Sequence, residues 1–455
     1  MVVYPSIEAC EAVMSVSLVK AGYISQARLL AKTAYLAPSL MWRSVLGRKF
    51  DTKSLKRIQN KKLRALIKHS YTYVPFYHDL MKHANVRPED IKSIEDLNKI
   101  PATTKTDLVD SPLAYRAASN INLENCWKSR TSGTTGVPLT VYFDLRARLL
   151  DLILTTRSQL ERGDKLTYKQ VMVGSGFLEE GLPLQNIGIL RAKRISQLDD
   201  VKAQIDQIRQ YDPRTMVSSA SCTLDLANEI IEEKIRGLNI RQVFSTGEWL
   251  DDHTRKKATE AFNANVYDSY GTIETGRVYN ECLKRYGNHV ESEAVVVEVI
   301  KDQENVAMGE EGEITITNLN NYAMPFIRYN VRDIGKLVDN ACPCGSCLPL
   351  MKLTEGRAKD RLKIPSGRVI SSIILIAEMR FIEGLRQFQI VQEEIDQYNV
   401  RVVKGLGYRE DVHSEIESRL RKVLGDVKIG ISMVPYVPKG RTGKTRQFIS
   451  NLPTE

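Results

Sequence analysis

The chain has 455 residues, with 65 lysines and arginines against 55 aspartates and glutamates, giving a formal net charge of +10. That length exceeds one ordinary core, so two or three domains are expected, and a 42% hydrophobic content excludes a disordered chain. Seven cysteines are too few and too clustered for a disulfide scaffold and fit a reducing compartment.

Near the start, "AVMSVSLVKAGYISQARLLAKTAYLAPSLMW" is interrupted by Lys20, Arg28 and Lys32 and never reaches the roughly 20 apolar residues of a bilayer span. Glu8 stands where a signal peptide would carry basic residues. The expectation is a cytoplasmic enzyme with no integral membrane segment. Arg43 to Lys68 holds ten basic residues and one acid, which reads as the solvated face of an amphipathic helix. A nucleic-acid partner is not expected; the charge suits small anionic ligands.

Helical spacing continues through "LKRIQNKKLRALIKHSYTYV", and "RPEDIKSIEDLNKIP" mixes short helices with turns. From 167 to 300 the rhythm changes. Short apolar runs ("KQVMVG", "TMVSSA", "RQVFSTG", "NANVYDSYG", "AVVVEVI") alternate with amphipathic stretches ("LDLANEIIEEKIRG", "DHTRKKATEAF"), the pattern of a parallel or mixed α/β sheet. "GEEGEITITNLNN" and "PFIRYNVRDIGKLV" then read as β-hairpin material. The last hundred or so residues repeat a smaller pattern: a hairpin in "FQIVQEEIDQYNVRVV", a helix in "REDVHSEIESRLRKVLG" and a strand in "VKIGISMVPYV". The polar stretch "LTEGRAKDRLKIPSGRV" marks a junction, and there is no internal repeat or low-complexity tract. The expected organisation is α/β: a helical segment 1–100 and the rest of a large domain, 101–355, then a small α+β domain, 356–455.

The loop "SRTSGTTGVPLT" packs Thr131, Ser132, Gly133, Thr134, Thr135 and Gly136 together and closes them with Pro138. Backbone N–H groups, four hydroxyls and no bulky side chain suit a polyphosphate. It is not a Walker loop, because GxxxxGK[ST] occurs nowhere. Alone, such a run is more often a plain surface turn or linker. The spacing Cys342-x-Cys344-x₂-Cys347, with Cys282 and His289 earlier in "ECLKRYGNH", allows one pair from each segment to form a tetrahedral Cys₃His site of the structural Zn²⁺ type; free thiols are the alternative.

"TSGTTGVP" resembles the phosphate-binding signature of the adenylate-forming, or acyl-CoA ligase, superfamily. "STGEWL" (245–250), "YGTIETG" (270–276), "IRYNVRDIG" (327–335) with "EGRAKDRLK" (355–363), and "GRTGKTRQ" (440–447) resemble its other motifs in the same order. "KLRALIKHSYTYVPFYHDL", "IPATTKTDL" and "CPCGSCLPLMKLTEGR" resemble the phenylacetate-CoA ligase branch, and within it the capsule-biosynthesis-type and coenzyme-F-adenylating relatives. The likeness runs from about residue 55 to the C-terminus.

The resemblance implies a large adenylate-forming domain with mixed sheets, flanking helices and a small barrel-like β part, followed by a mobile small domain. It implies an AMP-forming ligase that joins a carboxylic acid to ATP and passes the acyl group to a thiol, coenzyme A. Thr131, Ser132, Gly133, Thr134, Thr135 and Gly136 would hold phosphates, Glu274 Mg²⁺, and Asp333 the ribose. Tyr270 and Gly271 would flank the adenine, and Lys444 would reach the α-phosphate. Thr135, Glu274 and Lys444 form the implied catalytic set. Arg357 counts with the nucleotide-binding residues at the junction, beside Gly356, with Lys359 as hinge. The same branch implies Cys282, His289, Cys342 and Cys344 as the zinc set, with Cys347 spare. A monomer or a homodimer fits the family.

Two positions depart from the pattern. Ile273 stands where the family carries a threonine, Thr272 being shifted by one, and Arg332 takes a glycine position before Asp333. The acyl pocket is expected around 173–177, 218–221 and 245–248, with no aromatic box and no dedicated cation. Two other readings stay open: an adenylyltransferase that leaves AMP on a cofactor or polysaccharide-related acceptor, and a degenerate member without turnover.

Overall fold

Asp51 starts the first described helix of the computed structural model, which describes residues 51–131, 138–174, 183–339, 341–357, 361–440 and 445–452. Its carboxylate accepts the Ser54 amide at 2.7 Å, and α1 (Thr52–Tyr73) follows. Leu55, Gln59, Leu63, Leu66, Ile67 and Ser70 form one buried stripe, leaving most of the helix's cations to solvent. Pro75 opens α2 (Pro75–His83), whose Tyr77 is buried and donates its hydroxyl to the Pro325 carbonyl at 3.2 Å. Strands β1 (Trp127–Arg130) and β2 (Thr140–Phe143) pair antiparallel and bracket the glycine-rich loop. Asp144 then caps α3 (Leu145–Glu161) through the Ala147 amide.

The next stretch forms the expected α/β pattern. Strands β3 (Gln170–Val173), β4 (Ala192–Ile195), β5 (Thr215–Ser218) and β6 (Gln242–Thr246) are parallel in the order β6-β5-β3-β4. Val171, Val173, Met216 and Val243 point to a core shared with α4 (Val201–Tyr211), α5 (Ala220–Glu232) and α6 (Asp252–Phe262). Met172, Val217 and Phe244 alternate with them and pack on Tyr267 in a second cluster, as a period of two requires. α4 and α6 end on Asp212 and Asn263 in the left-handed region, which these side chains tolerate.

Strand β7 (Asn265–Thr272) turns into β8 (Gly276–Glu281), followed by β9 (Asn288–Val290), β10 (Val295–Lys301), β11 (Glu304–Asn305), β12 (Gly312–Asn318), β13 (Tyr329–Val338) and β14 (Leu350–Arg357). Their order is β11-β10-β12-β13-β14-β9-β8-β7, and β12 and β13 form the expected antiparallel pair. Beyond a small hairpin, β15 (Arg361–Lys363) with β16 (Val369–Ser371), comes α7 (Ser372–Arg380). β17 (Leu385–Glu394) and β18 (Gln397–Lys404) form the expected hairpin. With α8 (Val412–Leu424), β19 (Lys428–Met433) and β20 (Phe448–Ser450) they complete an α+β body, its sheet ordered β19-β18-β17-β20.

The fold is thus α/β, a large mixed-sheet part with a small α+β C-terminal part. Contacts divide the chain into two units: Met1–Tyr168 with Glu179–Arg191 and Asp268–Thr354, and Lys169–Leu178 with Ala192–Tyr267 and Glu355–Glu455. No helix among the described residues is long and apolar enough to cross a membrane.

Within the first unit Arg328 is almost wholly buried. Its Nε lies 3.2 Å from Glu298, and Nη1 donates to the Ile100 carbonyl at 2.6 Å. Removing one partner of such a pair strands the other charge. Arg328→Ala is therefore expected to cost about 3–5 kcal/mol, read as a shift of the urea midpoint. Lys56→Ala, at the exposed Lys56–Glu95 pair, should cost at most about 1 kcal/mol. Equal shifts would refute the ranking.

Candidate active site

The β7–β8 hairpin carries the first set of candidate residues. The register slips between Tyr270 and Gly271, so Arg277 faces Gly271. A Cβ on Gly271 would meet the Gly276 carbonyl oxygen at 2.6 Å, so the tight hairpin itself requires glycine there. Thr272 and Thr275 close the turn: their hydroxyls are 2.9 Å apart, and the Thr275 amide donates to the Thr272 hydroxyl at 3.0 Å. Glu274, at the tip, is half-buried and accepts from the Tyr329 hydroxyl at 3.1 Å. Among the described residues it has no cationic partner.

Asp333 arrives from a bulge. Thr315 pairs with Asn330 and Glu313 with Ile334, so Val331, Arg332 and Asp333 stand against Ile314 alone. Arg332 takes φ +62°, and its amide donates to the Asn330 side chain at 2.7 Å. Asn330 in turn donates to Glu313 at 2.6 Å. The bulge brings the Asp333 carboxylate to the Tyr270 hydroxyl at 2.6 Å. The Tyr270 ring tilts against Tyr279, their centroids 5.3 Å apart, and burial with the Asp268, Glu281 and Asp333 carboxylates pushes the Tyr279 hydroxyl well up, keeping it a donor.

Tyr270, Gly271, Glu274 and Asp333 therefore meet around one hairpin and one bulge. Tyr329, the link to Glu274, was not singled out by sequence, although it lies inside the quoted "IRYNVRDIG" segment. Thr131 sits in the same unit at the base of the glycine-rich loop: its amide donates to the Leu139 carbonyl and its hydroxyl accepts the Leu139 amide, both at 2.9 Å. Ser132, Gly133, Thr134, Thr135 and Gly136, Lys359 and Lys444 lie outside the described residues. Gly356 and Arg357 end β14.

In the second unit, the expected acyl-pocket segments begin at the carboxyl ends of β3, β5 and β6, where open α/β sheets receive ligands. The Ser221 amide donates to Glu248 at 2.8 Å, and the Ser218 and Thr223 hydroxyls are 2.5 Å apart. Residues 175–182 lie outside the described residues.

The cysteines converge. The ligand atoms of Cys282, His289, Cys342 and Cys344 all lie within 4.8 Å of one another. The Cys282 and Cys342 sulfurs are 3.5 Å apart, and Cys344 Sγ is 3.3 Å from His289 Nε2. His289 Nδ1 lies 3.4 Å from the Leu348 carbonyl, an arrangement that leaves Nε2 to face a metal. Burial pushes the Cys342 thiol up to about 12, so a divalent cation entering the cluster would displace protons. Cys347 is not part of the group.

A family model described as the CapK C-terminal domain matches residues 362–451. The phenylacetate-coenzyme A ligase of Thermus thermophilus is 26% identical over 434 residues, covering 87% of this chain and 96% of that protein. The phenylacetate-coenzyme A ligase of Escherichia coli K12 is 28% identical, covering 70% and 74%. Among solved structures, a 2-hydroxyisobutyryl-CoA ligase in its postadenylation state superposes with a TM-score of 0.74 at 20% identity, covering 90% of this chain and 91% of that one. The chain is thus similar to phenylacetate-coenzyme A ligases over most of its length and shares the fold of a 2-hydroxyisobutyryl-CoA ligase.

The two departures from the family pattern now have a physical account. In this chain the Thr272 hydroxyl is engaged by Thr275, while Ile273 packs on the apolar cluster that includes Leu139, Val141 and Tyr329. Arg332 keeps the left-handed backbone that a glycine would adopt, so the loop is glycine-like in conformation and its side chain is exposed. Arg332→Gly relieves left-handed strain of about 1–2 kcal/mol and adds unfolded-chain entropy of about 0.5–1 kcal/mol. The variant should therefore be unchanged or slightly stabilised in thermal melts, with ATP affinity within about twofold of the parent; a tenfold weaker ATP dissociation constant would instead assign the guanidinium to phosphate binding.

Proposed function

We propose that this protein activates a carboxylic acid with ATP and transfers the acyl group to the thiol of coenzyme A. A substrate carboxylate oxygen attacks the α-phosphorus, the bond to the β-phosphate breaks, and pyrophosphate leaves. The thiol sulfur then attacks the acyl carbon, AMP departs with the electron pair of the broken C–O bond, and the thiol proton is released. The observation that carries this reading is the meeting of Asp333, Tyr270 and Glu274 around one hairpin and one bulge, in a chain whose remaining motifs follow in family order.

Each group has a task suited to its chemistry. Asp333, oriented by the Tyr270 hydroxyl, offers a carboxylate to the ribose hydroxyls. Glu274 has one oxygen held by Tyr329 and no ion-pair partner among the described residues, which fits a carboxylate reserved for Mg²⁺. That ion neutralises phosphate charge when bound. Lys444 supplies the mobile positive charge where the α-phosphate becomes more anionic, so catalysis rests on position and electrostatics and no protein nucleophile is needed.

Cys282, His289, Cys342 and Cys344 hold one structural Zn²⁺ in this reading: all four positions are filled by protein ligands, leaving no open site for chemistry. A second reading is an adenylyltransferase whose acceptor, a cofactor or polysaccharide-related group, receives AMP itself.

Elemental analysis of the purified protein should give about one zinc per chain, and Cys282→Ser should lose most of it together with thermal stability; a metal-free, equally stable parent would leave the cluster as free thiols. ATP–pyrophosphate exchange over a panel of aryl and alkyl carboxylates should depend on one acid class and fall at least a hundredfold in Lys444→Ala. Exchange followed by thioester formation supports the ligase. AMP incorporation into an acceptor without coenzyme A supports the alternative, and ATP binding without either reaction would refute both.

A further inference from the structure

Arg380, the last residue of α7, is a buried guanidinium shared by segments far apart in sequence. Its side chain is 11% exposed and pairs through Nη1 with Asp251, itself 13% exposed. Nη2 donates to the Gln447 side chain at 2.5 Å. Asp251 also caps α6, accepting from the Thr254 amide at 2.9 Å and its hydroxyl at 2.8 Å. It directly follows "STGEWL", whose Glu248 adds a second negative charge near the guanidinium. Gln447 comes three residues after Lys444, and its segment is fastened to β17: the Ile390 amide donates to the Gln447 carbonyl and the Gln389 side chain to the Arg446 carbonyl, both at 2.8 Å.

This is a poor arrangement for stability alone. Among the described residues the Arg380 Nε is buried without an acceptor, and burial pushes the group down to about 10, against the pull of Glu248. It remains charged at neutral pH. A buried pair with an unmade hydrogen bond often stabilises no more than an apolar replacement would. What it does supply is geometry: two arms of a planar fork fix the helix cap and the strand together, which a lysine cannot do.

Resting on the proposed ligase reading, we propose that Arg380, held by Asp251, is a positioning residue that keeps the Gln447 segment in register with the "STGEWL" segment for adenylate formation. It touches no substrate and acts through the strand it holds.

Asp251→Asn keeps the cap, since asparagine caps as well as aspartate, and removes the charge. Arg380→Lys keeps the charge and loses the fork. Both variants are expected to lose about tenfold or more in pyrophosphate-exchange kcat, a loss of the size that misplacement by an ångström produces. The KM for ATP should stay within about threefold, and transfer from supplied acyl-adenylate to coenzyme A within about twofold. Amide hydrogen exchange over 445–452 should accelerate in both.

Equal losses in the two half-reactions would reduce the pair to a stability element and overturn the proposal. Unchanged amide exchange over 445–452 would overturn it whatever the activity. A parent protein that catalyses no exchange with any acid removes the ligase reading and the adenylation role with it, while amide exchange still decides whether the bridge holds the strand.

Discussion

Arg328 sits at the entrance of β13 with its charge facing Glu298, its guanidinium on the Ile100 carbonyl and its backbone at φ +47°. The peptide around it is fastened on both sides. The Thr103 amide donates to the Arg328 carbonyl, the Asn330 amide to the Thr103 carbonyl, and the Arg328 amide to the Thr317 hydroxyl, at 2.8, 2.8 and 3.0 Å. The contacts that β13 supplies to the candidate site lie within the next five residues: Tyr329 reaches Glu274, Asn330 anchors the bulge, and Asp333 leaves it toward Tyr270. A strand entry free to slide by one residue would send all of them to the other face.

Much of this was legible in the sequence, for reasons tied to periodicity. The parallel strands showed as short apolar runs because both faces of that sheet are buried: Val171, Val217 and Val243 are all sheltered. Helix α6 could be read because Asp251 caps it and Phe262 closes its apolar stripe. The Cys/His cluster was legible because the cysteine spacing allows two segments to converge and the resemblance singles out four residues, which the structure brings together while leaving Cys347 out.

Other features left no such trace. The bulge adds two residues to one strand, and no local pattern distinguishes Val331-Arg332-Asp333 from an ordinary run of β13. Arg328 and Arg332 look alike on the page, yet one is buried among carbonyls and the other is exposed. The Arg380–Asp251–Gln447 bridge joins three segments that share no motif, and only tertiary packing makes them neighbours.

The contrast between these arginines and the two site carboxylates shows how charge is apportioned. Glu298, Glu291 and Glu293 are buried beside guanidiniums, Arg328 for the first and Arg157 for the other two, so their charge is spent on holding the fold. Glu274 and Asp333 are oriented by the neutral phenols of Tyr329 and Tyr270. A phenol fixes a carboxylate by one directional bond and leaves its formal charge in place; an arginine at the same distance would neutralise it and occupy both oxygens. A carboxylate meant to receive a metal ion must keep a lone pair accessible until the ion arrives, and Glu274 has no cationic partner among the described residues. Tyr329 orients Glu274 without neutralising it, which supports the proposed metal-binding role at this hairpin and not at either of the buried ion-pair clusters.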